Sequence, residues 1–200
     1  MVAPWLCKQP ARSTIHYPPS TVFKFVTLAA PERVFSGVHI MIEVNERIEV
    51  PAAPRIVWDV LSDPHAVVEC VPGAALGDKR EDGSYDATLT VKFGPAKVTF
   101  RARFTLELDP VGMTGQVASK ARDNQGGTRV KTSMAFKVVE GQAPGTSAIP
   151  IDAQVEIAGK LASLVESGAS VVVKHMTKEF SERLAARCAA GNQAQKMERA

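Results

Sequence analysis

Residues 159–188 read GKLASLVESGASVVVKHMTKEFSERLAARC, the longest helix-compatible stretch of the chain and one without proline. Leu161, Leu164, Val165, Gly168, Val172, Met176 and Phe180 recur at spacings of three and four, which places them on one stripe of a helix. Lys160, Glu166, Lys174, Lys178, Glu182, Arg183 and Arg187 fall mostly elsewhere, and Glu179 and Arg183 stand one turn apart as an ion pair. Gly191-Asn192 predicts the stop. A helix of this length cannot hide its apolar stripe alone, so the rest of the chain must supply a broad apolar surface.

The preceding hundred residues are patterned as that surface. Ile42, Val44, Ile48 and Val50 alternate with polar residues, with Glu46 the one exception on the apolar side. Pro54 opens a short helix carrying Ile56, Val57, Trp58, Val60 and Leu61, and Asp63-Pro64 starts a second short helical turn that closes at Pro72-Gly73. Six strands follow: 76–80, 85–93, 97–108, 113–120, 129–138 and 149–157. Asp82-Gly83, Gly94-Pro95, Asp109-Pro110, 124–127 and 141–145 are the turns between them. Pro150 predicts an edge or a bulge within the last strand. Short turns make the strands antiparallel neighbours, and the alternation gives the sheet one dry side. The expected fold is α+β, in the order β-α-α-β6-α, with a curved antiparallel sheet wrapped as a grip around the long C-terminal helix.

Bulk properties agree with one ordinary domain. Two hundred residues with 45% hydrophobic and 22% charged content can bury a core without staples. A net charge of +3 is too small to argue for nucleic acid. Cys7, Cys70 and Cys188 lack metal-ligand or disulfide-framework spacing, which fits a reducing compartment. No apolar run is long enough to span a membrane. Residues 1–40 carry Pro4, Pro10, Pro18, Pro19 and Pro31 and an excess of basic side chains, and they read as a poorly ordered extension or as sequence upstream of an alternative start at Met41. The domain proper is expected over 41–190, with a polar tail over 191–200.

Candidate chemistry sits in two places. The space between sheet and helix would be lined by Leu89, Val91, Phe93, Phe100, Phe104, Met134, Phe136, Val138, Val155, Gly168, Val172, Met176 and Phe180, with His175 beside the stripe and Ser119 and Thr132 as inward hydroxyls. These residues either fill a core or wall an adaptable apolar pocket. His175 is the best titratable candidate there, able to hold a carbonyl oxygen. Cys70 with His65 is the one conceivable nucleophile pair, next to Glu69. No metal-protease, phosphate-loop, dinucleotide or nucleophile-elbow motif occurs, so no catalytic residue and no metal site is assigned. The outer sheet face gathers Lys92, Lys97, Arg101, Arg103, Arg129, Lys131 and Lys137, either a solvated face or a dock for an acidic partner or anionic lipid head groups. Without interleaved aromatic residues it does not suit nucleic acid.

The element order resembles the helix-grip superfamily of START, Bet v 1 and polyketide-cyclase-like proteins (SRPBCC). Within it, Val50-Pro51-Ala52 with Val57-Trp58, Asp63-Pro64 leading to Cys70-Val71-Pro72-Gly73, and Asp82-Gly83-x-Tyr85 resemble the carbon monoxide dehydrogenase G-subunit family (CoxG). So do Lys92-x-Gly94-Pro95, Asp152-Ala153-Gln154-Val155 and Gly159-Lys160-Leu161-Ala162. The resemblance implies a non-catalytic accessory protein of a molybdenum hydroxylase such as carbon monoxide dehydrogenase. It implies membrane recruitment of that enzyme, and a bound quinone (menaquinone or ubiquinone) or lipid rather than an intrinsic cofactor. It also implies a cytoplasmic place, peripheral to the inner face of the cell membrane. The alternatives are a small enzyme of the cyclase or hydrolase type on the same fold, and an assembly factor with a filled core.

Overall fold

The computed structural model describes residues 24–26, 39–93 and 96–198. The elements run β1 (Lys24–Val26), β2 (His39–Val50), α1 (Pro54–Leu61), α2 (Pro64–Cys70), β3 (Ala74–Lys79), β4 (Tyr85–Phe93) and β5 (Ala96–Asp109). Then come β6 (Thr114–Asp123), β7 (Thr128–Lys137), β8 (Val139–Glu140), β9 (Ser147–Gly159) and α3 (Ala162–Glu198). All strands join one antiparallel sheet in the order β1-β2-β9-β7-β6-β5-β4-β3, with β8 paired to β9. The expected α+β grip is the observed fold.

Local chemistry sets the element boundaries. Proline occupies the first turn of both short helices, where its missing N–H costs nothing. Asp63 caps α2 by accepting from the His65 amide at 2.9 Å. At the β3–β4 turn, Gly83 takes φ +81° and Asp82 accepts from the Ser84 amide at 3.0 Å. Gly159 adopts φ +119° against the Gly127 carbonyl, so the chain leaves β9 there and α3 begins only at Ala162.

Three expectations need correction. Residues 24–26, placed in the unstructured extension, pair with β2 in the register Lys24↔Glu43, Phe25↔Ile42, Val26↔Met41. The remainder of 1–38 lies outside the described residues, and β2 starts at His39 rather than at Met41. Gly191 does not stop α3, which continues to Glu198. A lone glycine costs a helix only about 1 kcal/mol and ends it reliably only in a left-handed conformation. Among the described residues Gly191 has no positive φ, and Ala185, Ala186, Ala189 and Ala190 precede it. Finally, β9 is an interior strand rather than an edge. Pro150 falls where one neighbour changes from β7, at Ile151↔Phe136, to β8, at Ala148↔Val139, an irregularity of the expected kind, while on the other side the ladder to β2 runs on through Arg47↔Pro150.

The core forms at the two ends of the β2–β9 strand pair. One cluster joins Ile48, Val50, Val57, Trp58, Leu61, Cys70, Val138, Ile149, Leu184 and Cys188, each nearly sealed from solvent. It ties α1 and α2 to the C-terminal part of α3, and side chains of this size contribute about 1.5–3 kcal/mol each on burial. A smaller cluster joins Ile40, Ile42, Ile157 and Ala162 at the start of α3. Along its length α3 approaches β2, β4 and β9 and packs on α1 and α2.

Candidate ligand-binding site

Strand parity and register assemble the inner face of the sheet into rows. One row runs Tyr85–Phe104–Ser119–Thr132–Val155–Ile42 across β4, β5, β6, β7, β9 and β2. The next runs Leu106–Val117–Met134–Ala153–Val44. Tyr85 stacks on Phe104 with centroids 5.3 Å apart and planes 16° from parallel, and the Lys79 ammonium lies 5.4 Å from the Tyr85 centroid. The first row therefore places an aromatic pair at one end, two hydroxyls at the centre and aliphatic side chains at the other end.

The middle of this floor is less buried than its flanks. Leu89, Phe104, Leu106, Val117 and Met134 are half-buried and belong to neither core cluster, and Val172 and Met176 on α3 share that status. Apolar side chains of this size normally go into a cluster if packing permits. Here they form a partly open apolar seam between two packed ends. Ser119 and Thr132 are cross-strand neighbours on its floor, both half-buried.

The structure sorts the expected lining residues. Phe104 and Met134 lie on the seam, Leu89 stands half-buried two rows away opposite the buried Phe100, and Val172 and Met176 are half-buried on α3. Val91 and Phe100 are buried, Val138 is part of the larger cluster, and Phe136 and Phe180 pack against it. Val155 packs against the smaller cluster. The side chain of Phe93 and the surroundings of Gly168 lie outside what the structure describes. His175 is not a lining residue: its side chain is 68% exposed and Nε2 sits 3.1 Å from the Glu179 carboxylate. Nine residues separate it from the sealed Leu184, which at 100° per residue puts the two on opposite sides of the helix.

Cys70 and His65 do not form a nucleophile pair. Cys70 is 2% exposed, its Sγ contacts the Ala66 carbonyl oxygen at 3.5 Å, and burial pushes its thiol up from its ordinary value. His65 is exposed. Cys188 lies in the same cluster, and burial together with Cys70 pushes its thiol up to about 11. Glu69, next to Cys70, pairs with Arg187 and so pins α2 to α3. Among the described residues no three metal-ligating side chains converge, and no helix is long and apolar enough to cross a membrane.

Two features were missed in the sequence pattern. Tyr85 belongs to a strand by its alternation, but only register makes it part of the site, although its parity matches Leu89. Leu184 continues the Phe180 stripe by one turn. Glu46, the polar exception that the alternation shows on the apolar side of β2, lies half-buried opposite Ile151. On the outer face, Lys92, Lys97, Arg101, Arg103, Arg129, Lys131 and Lys137 are all exposed, as expected.

A curved antiparallel sheet closed by one long C-terminal helix, with short helices after the first long strand, defines the helix-grip class. A conserved protein from Geobacillus kaustophilus is similar at a TM-score of 0.65 and 19% identity, covering 74% of this chain and 95% of its own. The Zhui aromatase/cyclase from Streptomyces sp. R1128 is similar at a TM-score of 0.52 and 14% identity, covering 74% and 94%. At these identities the likeness establishes the fold alone. A comparison with curated protein sequences returns no match. The carbon monoxide dehydrogenase G-subunit family (CoxG) matches residues 47–189, and the chain belongs to that family.

Proposed function

We propose that this chain is a non-catalytic accessory protein of a molybdenum hydroxylase system similar to carbon monoxide dehydrogenase. In this reading it carries an apolar ligand, a quinone or a lipid, on the seam between sheet and α3. The observation that supports the reading is the row Tyr85–Phe104–Ser119–Thr132, half-buried and outside both core clusters. A quinone ring would stack on the aromatic pair, the hydroxyls would donate to a ring carbonyl, and the isoprenoid chain would run over Leu106, Val117 and Met134. The family supports the client enzyme, and delivery of a quinone calls for a cytoplasmic protein in transient contact with the membrane. The non-catalytic role is supported by where the titratable candidates lie: Cys70 is sealed and His175 points outward.

Equilibrium titration with short-chain menaquinone and ubiquinone analogues tests the proposal. One-to-one saturable binding that is lost in Val117→Trp is the expected result. Absence of saturable binding for both quinones and for a fatty acid would contradict it.

A further inference from the structure

The outer face of β5, β6 and β7 carries two rows of like charge in direct cross-strand register. Arg101 stands opposite Arg122, which stands opposite Arg129; Arg103 stands opposite Lys120, which stands opposite Lys131. Like charges directly opposite destabilise a sheet, so folding alone gives no reason for this arrangement. The ends of the second row are partly neutralised, Arg103 by Asp86 at 3.4 Å and Lys131 by Glu156 at 3.3 Å. Among the described residues Arg101, Lys120, Arg122 and Arg129 have no carboxylate within ion-pair distance, and Arg101 reaches only the Asn124 side-chain oxygen at 3.4 Å. The six cations line a groove of about 1070 Å³ that Asp82, Asp86 and Asp123 also border, so cations outnumber carboxylates there two to one.

We infer that this groove docks an acidic α-helix of a partner protein. A row of three cations spans about 10 Å across neighbouring strands, and the two rows lie about 7 Å apart along them. A helix lying along the strands is about 10–12 Å wide and repeats a face every three to four residues, about 6 Å of rise for four. Carboxylates at i and i+4 then meet the two rows, a third at i+7 keeping to the same helix face, and the arginines bind them with paired N–H donors. The two rows match the width and rise of one helix face, and the groove offers no outward aromatic side chain for base stacking. Lys92 and Lys97, opposite each other near the end of the β4–β5 hairpin, and Lys137 near the end of β7 lie outside the groove and serve long-range steering instead. This inference does not depend on a ligand occupying the inner seam.

The test uses fluorescence anisotropy on the full chain at low salt with a labelled helical 14-residue peptide bearing glutamates at i, i+4 and i+7. The same peptide with glutamines, phosphatidylglycerol vesicles and oligo-dT serve as competitors. Wild type should bind the glutamate peptide and not the glutamine one. Arg101→Gln/Arg122→Gln should weaken binding tenfold or more. Arg55→Gln/Lys178→Gln, which removes the same charge elsewhere, should change it less than twofold. Circular dichroism confirms that both variants fold. Equal weakening by both pairs, no binding of the glutamate peptide, or stronger competition by vesicles or oligo-dT than by unlabelled peptide would overturn the inference.

Discussion

Gly115 lies directly across the β6–β7 ladder from Phe136, and the phenyl ring occupies the space that a β-carbon on residue 115 would need. The same ring is 6.4 Å from the Trp58 ring, so this contact links the floor of the sheet to the packing of α1. Gly115→Ala is expected to push Phe136 against the larger core cluster and cost about 1–3 kcal/mol, as overpacking usually does. Urea unfolding measures it. An unchanged midpoint would mean that the ring has free room to move.

The two ends of α3 differ in what they hold. Leu184 is sealed, whereas Met176 is half-buried and belongs to neither core cluster. Leu184→Ala should cost about 2–5 kcal/mol, as cavity-forming core truncations do. Met176→Ala should cost less than half of that in the ligand-free protein. Equal losses would show that the seam is packed core.

Cys70 and Cys188 supply a pH prediction. Burial raises both thiols, Cys188 to about 11 from an ordinary 9.0, so the folded state favours the protonated form. A raised folded value contributes stability that is complete below pH 9 and is lost as pH rises through 11. Chemical unfolding between pH 8 and 11 should therefore give a falling midpoint, and the fall should be smaller in Cys188→Ala compared with its own value at pH 8. Ellman's reagent should label neither thiol in the native protein. Fast labelling of either would contradict the sealed cluster.

The cation rows carry a prediction for stability as well as for docking. Replacing Arg122 by threonine removes one like-charge contact on each side and keeps a strand-forming residue. The variant should gain about 0.2–1 kcal/mol at low salt, and the gain should shrink as added salt screens the row. A loss at low salt would mean that Arg122 has a stabilising role in the isolated chain.

Much of this architecture is legible in the chain because alternation and three-four spacing are local signals. The strand from Val98 to Leu108 and the stripe through Met176 and Phe180 stand out at once, and the inward parity of Ser119 and Thr132 follows from counting. What escapes depends on partners distant in sequence. That β2 pairs with β9 through Ile42↔Val155 cannot be read from either strand. Tyr85 joins the site only because register sets it beside Phe104. His175 looks like a pocket residue only if the stripe runs straight along the helix. The sealed residues Leu184 and Cys188 fix which side faces inward, and they turn His175 toward solvent. The like-charge rows are invisible in sequence for the same reason: Lys120 and Arg122 gain meaning only opposite Arg103 and Arg101.

Native mass spectrometry of the chain purified from its own host, with organic extraction of what travels with it, tests the central claim most directly. A quinone or lipid bound near one-to-one, and displaced in Val117→Trp, is the expected result. A ligand-free mass that stays unchanged after quinone is added would contradict it.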